Sequence, residues 1–286
     1  MMFYFHKGII KCTMRLCIVS FFLSFSLSAT PTLNYNGLFD ELSKYKKTEA
    51  GFHQGHLLEH MVWVAKAMDK LFDEKKEFFS TSSVWMQHCK EPERRMMVIA
   101  AFLHDIGKAG DLKYQFFTKI PHPCDGFEML MGEKPFLLNA DGRTFDMQAY
   151  INQLELTEHE FKTVAVLVGM HQELGKMFQH MKTKDKSWNS LYQKFLDDLQ
   201  EYVTRSGYNN GVIDERIIWL SAALCRADCE GLFYVDHEVQ GFPELVDLKP
   251  TLLDATRPLG PVFFDIMGYP LFVYGLLRYF HAQQGI

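Results

Sequence analysis

From Gln54 to Tyr279 the apolar residues recur three and four positions apart, and this helical period constrains the fold more than any other feature of the chain. In residues 54–72, Leu57, Met61, Val64, Ala65 and Met68 fall on one side. Pro92 and Glu93 open a helix whose stretch 96–103 is apolar all round, as a central buried helix requires. A short helix is expected over 123–131. Thr157 and Glu160 form a capping-box pattern that starts a helix through Val164, Leu167, Val168 and His171. Trp188, Leu191, Phe195, Leu199 and Tyr202 line another, stopped at Gly207. Asp214 caps a helix that carries Ile217, Leu220 and Leu224 and ends near Gly231. Pro270 begins a last one through Tyr279. No alternating strand is convincing, with 143–151 the ambiguous stretch, and 176–186 and 242–249 read as loops. Without an internal repeat or a low-complexity linker, one all-α domain over residues 30–286 is expected.

Composition agrees with that class. Of 286 residues 48% are hydrophobic and 14% aromatic, and a chain of this length buries about three quarters of its unfolded surface. The 10 prolines and 19 glycines follow no period, which excludes collagen-like and disordered chains. Thirty basic against thirty-five acidic residues exclude an extended nucleic-acid footprint, which needs a cationic surplus. Lys7, Lys11 and Arg15 precede an uncharged run from Leu16 to Ala29. That run is shorter than the span of about 20 residues a membrane helix needs, and it ends in small residues. Residues 1–29 therefore read as a secretory signal peptide, with Met14 an alternative start and an uncleaved anchor the competing reading. The expectation is an exported protein, periplasmic or secreted, with no stable membrane insertion once the signal is removed. The apolar C-terminal run is broken by Asp265 and Pro270 and reads as core. Cys12 and Cys17 leave with the signal. Cys89, Cys124, Cys225 and Cys229 remain as expected buried apolar thiols, since the four-residue spacing of Cys225 and Cys229 suits a closed zinc site poorly.

Ionisable residues stand at three places where the pattern calls for a hydrophobe. His60 follows Glu59 on a helix that His53 and His56 share. His104 and Asp105 end the most apolar helix, just before Ile106, Gly107 and Lys108. Asp228 continues the apolar series Ile217, Leu220, Leu224 toward the interior. Each taken singly is a weak signal, because lone buried histidines are commonly hydrogen-bonded core residues. Burying an unpaired carboxylate costs several kcal/mol, however, and a divalent ion offsets that cost where imidazole and carboxylate converge.

The string Phe-Leu-His-Asp-Ile-Gly-Lys over 102–108 resembles the signature of the HD-domain metal-dependent phosphohydrolase superfamily. That pattern is a histidine, a His-Asp pair and a distant aspartate on an all-α core. His60 matches the first element and Asp228 the last, so the resemblance covers a core of 51–231, with 232–286 a C-terminal helical extension. It implies a helical bundle with a central buried metal site. His60, His104, Asp105 and Asp228 would bind a first ion, and Asp105 would bridge to a second. His122 and His171 resemble the further ligands of multi-metal members such as the HD-GYP cyclic-dinucleotide phosphodiesterases. Read alone, His122 is a turn residue between prolines and His171 a helix-end residue favoured by the macrodipole. The second histidine usual after His171 is missing, and Gly268-Tyr-Pro lies far from the position of the Gly-Tyr-Pro motif, so cyclic-di-GMP activity is not implied.

The expected function is metal-dependent hydrolysis of a small phosphate ester, a nucleotide included, with one or two divalent ions (Mn, Fe, Zn, Mg, Ni or Co). Asp105 would orient the nucleophile and Lys108 would add electrostatic stabilisation. An HD-fold di-iron oxygenase acting on a small alcohol or phosphonate uses the same ligand set, and a noncatalytic nucleotide-sensing module is the third possibility. Lys176, Lys182, Lys184 and Lys186 offer an attractive field for an anion or, more commonly, a solvated loop.

Overall fold

The computed structural model describes residues 32–44, 55–73, 91–109, 122–137, 144–183, 187–245 and 268–285. The chain divides into two units, 1–31 and 32–286, and everything below concerns the second. The expected signal peptide lies outside the described residues, as do His53, Cys89, Lys184, Lys186 and Asp265.

The 3.6-residue period becomes α1 (Leu38–Leu42), α2 (Leu57–Asp73), α3 (Glu91–Leu103), α4 (His122–Leu130), α5 (Met147–Gln153), α6 (Glu158–Met170), α7 (Glu173–Thr183), α8 (Trp188–Ser206), α9 (Glu215–Glu230) and α10 (Gly268–Gln284). The centre is built from α2, α3, α6 and α9. Helix α3 packs against the other three, and α6 also carries α4 and α8 on its outer side. Helix α10 lies on α8 and α9, with Tyr192 and Phe272 in ring contact and His281 bonded to Glu215 at 3.1 Å. No helix of the described residues is long and apolar enough to cross a membrane.

Local chemistry sets the ends of these helices. Thr157 and Glu160 close a full capping box on α6, the Asp214 side chain accepts from Ile217 N at 2.9 Å to start α9, and Gly207 ends α8. Helix α2 is buried on every side rather than along one stripe, because α3 and α9 both pack on it. Its charged Asp69 is held by Arg94 at 2.5 Å and by His237 at 2.9 Å, which ties α2 to α3 and to the irregular segment after α9.

Several expectations need correction. The stretch from Lys176 is not a loop; most of it belongs to α7, whose Leu174 and Met177, three residues apart, are buried while Lys176 pairs with Glu173 at 2.8 Å. The many charges around those two residues hide a narrow apolar face. The ambiguous stretch 143–151 divides in two: Thr144–Phe145 pairs antiparallel with Phe136–Leu137, and Asp146 then caps α5. Helix α10 begins two residues before Pro270 and runs to Gln284. A proline is tolerated in that first turn because the N–H it lacks would have no acceptor inside the helix. Trp188, expected on the apolar face of α8, is 51% exposed at its first turn.

Candidate metal centre

Five elements deliver six side chains to one place. His60 comes from the first turn of α2, the pair His104 and Asp105 from the turn that ends α3, and His122 is the first residue of α4. His171 caps the C-terminus of α6, and Asp228 lies in the last turn of α9. Most of these positions are helix ends. There the side chain leaves the helical repeat and can point along the axis into the space the helices enclose.

Asp105 organises the cluster. Its Oδ2 lies 3.5 Å from His60 Nε2 and 3.3 Å from His104 Nε2, and both imidazoles also face Asp228 Oδ1, at 3.2 and 3.5 Å. Its Oδ1 lies 3.0 Å from His122 Nε2 and 3.4 Å from His171 Nε2. One carboxylate thus faces two pairs of histidines, one from each oxygen. Among the described residues no donor meets either oxygen in good hydrogen-bond geometry, although Lys108 Nζ stands 2.7 Å from Oδ2.

The imidazoles face inward because their other nitrogens are held from behind. His104 Nδ1 donates to Ala101 O at 2.7 Å, His171 Nδ1 to Val168 O at 2.7 Å, and His60 Nδ1 to Gly231 O at 3.1 Å. With Nδ1 engaged there, Nε2 is the ring nitrogen turned toward the others, as metal-ligating histidines are held. His60 and His104 bring their Nε2 atoms to 3.2 Å, and His122 and His171 to 3.3 Å. Ring nitrogens that converge so closely need a proton or a cation between them. Two glycines permit the approach. A Cβ on Gly231 would fall on the backbone and side chain of Val64 in α2, and a Cβ on Gly107 would fall on the His122 carbonyl and the Gly126 amide.

Burial makes the charges interact strongly. Desolvation opposes protonation of His104, yet Asp105 and Asp228 override it and push its pKa up to about 10. Burial alone would raise both aspartates, but His104 with Lys108 holds Asp105 well below the usual carboxylate range, and His104 with His60 does the same for Asp228. His171 moves the other way: burial favours its neutral form over the pull of Asp105. The two ionised carboxylates therefore favour positive charge beside them. Orphaned carboxylate oxygens, inward-turned imidazole nitrogens and a mixed nitrogen and oxygen donor set are what a divalent first-row ion fits. His60, His104 and Asp228 form one group able to hold an ion, and His104, Asp105 and His171 another.

The exposed edge of the cluster is formed by Asp228 at 24%, His122 at 20% and Lys108 at 14% of side-chain surface, so ligands reach it from that side. Gln172, which stands where the resembled family has its second histidine and was not counted among the candidate ligands, brings its amide to 3.0 Å from His122 Nε2. Its signal in the sequence is that place directly after His171 at the end of a helix; a glutamine there does not by its residue type suggest a ligand. His56 stands half-buried just before α2, with its backbone N–H bonded to Glu59 and its Nδ1 sealed without a partner among the described residues. Lys176 pairs with Glu173 on α7 rather than with the cluster. Cys225 is buried as expected, but Cys124 and Cys229 are only half-buried, and all three are free thiols. A further group, Asp69, Asp73 and His237, has its donors close together, but Arg94 already binds both carboxylates, so it acts as a clamp between elements.

Comparison with protein-family models, with curated proteins and with solved structures finds no match.

Proposed function

We propose that this protein is a metal-dependent phosphohydrolase that cleaves a small phosphate ester, a nucleotide among the candidates. One observation carries the reading. The two sealed oxygens of Asp105 each face a separate pair of inward-turned histidines, an arrangement suited to two ions about one bridging carboxylate. The resemblance of residues 102–108 to the HD-domain signature agrees with it. His60, His104, Asp228 and Asp105 Oδ2 would hold one ion, and His122, His171 and Asp105 Oδ1 the other. Such ions supply Lewis acidity toward phosphoryl oxygens and lower the pKa of a water that they hold.

The chain's own residues do the rest. The backbone carbonyls behind His60, His104 and His171 keep the rings turned inward, so no reorganisation is needed when substrate arrives. Lys108 is partly exposed at the rim and meets Asp105 there. From that position its ammonium would face an anionic phosphoryl oxygen. Export through the N-terminal segment remains part of the reading, and it requires the substrate to be met outside the cytoplasm.

The test is hydrolysis of a generic phosphodiester by the metal-loaded protein and its variants. Asp105→Ala should lose the second ion, hold the first more weakly and lose all turnover. Lys108→Ala should keep its ions while kcat/KM falls by about 10²- to 10³-fold. Full turnover by Asp105→Ala would exclude the reading. Two irons with dioxygen consumption and no hydrolysis would replace it by the oxygenase.

A further inference from the structure

The two halves of the cluster are not equivalent. The half around Asp105 Oδ2 has a second carboxylate, Asp228, and two imidazoles each clamped through Nδ1 to a backbone carbonyl. Among the described residues the half around Asp105 Oδ1 has no carboxylate of its own, and of its two histidines these residues clamp only His171 from behind. His122 lies at the exposed edge, and Nε2, the atom that faces Asp105, is also the one that the Gln172 amide meets. The amide oxygen and nitrogen of a glutamine exchange places by a half-turn of the terminal torsion. Gln172 can therefore turn a carbonyl oxygen toward the side of His122 Nε2, an atom that itself lies 3.3 Å from His171 Nε2 and 3.0 Å from Asp105 Oδ1.

We propose that Gln172 is the fourth protein donor of this second half, and that its neutral amide makes the second ion the weakly held and exchangeable one. The proposal rests on the dinuclear reading above. A neutral oxygen binds a divalent ion less strongly than the charged Asp228 does in the first half, and coordination positions toward solvent stay open for a substrate. Gln172 then determines how readily the second ion enters and leaves.

Manganese(II) titrated into the metal-stripped full-length chain tests this, with elemental analysis after gel filtration as the readout. The wild type should retain about one equivalent after filtration and fill the second step only with metal in excess. Gln172→Ala should weaken the second step by about 10- to 100-fold and leave the first unchanged. Gln172→Glu, which adds a charged donor at the same place, should retain about two equivalents. If both variants titrate like the wild type, Gln172 is no donor and the proposal falls, while the dinuclear reading stands. If the wild type never takes a second equivalent at any concentration, the dinuclear reading falls and takes the proposal with it.

Discussion

His104 keeps a proton that an exposed imidazole would lose near neutrality, because Asp105 and Asp228 outweigh the cost of its burial. The consequence for stability has a definite sign. In the unfolded chain the group titrates near about 6.5, and in the folded metal-stripped protein near about 10. Its stabilising contribution is complete below the lower value and is lost as pH rises through the higher one. Asp105 and Asp228 are depressed, so theirs is present above the ordinary carboxylate range and is lost as pH falls. Metal-stripped protein should therefore unfold at progressively lower temperature as pH is raised from about 6.5 to about 10. Metal-loaded protein should lack that slope, since ligation displaces the proton. Calorimetric scans across the range check both statements, and equal slopes with and without metal would show that His104 does not carry the charge.

The elements matter because they fix the candidate ligands through contacts remote in sequence. Gly231 ends α9 against α2, and its carbonyl holds His60. Gly231→Ala should push α9 from α2, costing about 1–3 kcal/mol by overpacking and about 10- to 100-fold in affinity for the first ion. Thermal unfolding and metal retention measure the two effects, and a variant with wild-type values for both would mean that the contact is incidental. This is also where the sequence stops being legible. His60, His104, Asp105 and Asp228 can be picked out because they interrupt apolar runs, and a buried charge is conspicuous against a helical period. The capping box of Thr157 and Glu160 can be read because it is local. The roles of Gly107, Gly231 and Gln172 cannot, since they arise from neighbours supplied by other elements, and a glycine or glutamine near a helix end has many ordinary reasons to be there. Helix α7 escapes notice because Leu174 and Met177 are two apolar positions among many charges. The burial of α2 on all sides escapes because a single helix's periodicity says nothing of how many neighbours surround it.

For the molecule as a whole, the cluster joins α2, α3, α4, α6 and α9 at one point, so an ion held there binds the folded chain and not the unfolded one. At a free-ion concentration of about a thousand times Kd this adds about 4 kcal/mol, which corresponds to a rise in Tm of about 8–16 °C for a domain of this size. Chelation should reverse the rise and re-addition restore it; an unfolding temperature indifferent to both would argue that the cluster is a hydrogen-bonded core. The most direct measurement is elemental analysis of the loaded wild-type chain beside Asp105→Ala. At equilibrium with metal in excess, the account predicts about two divalent ions per wild-type chain and at most one in the variant, because Asp105 faces both halves of the centre. A wild-type chain that takes up no metal under any loading condition would contradict it.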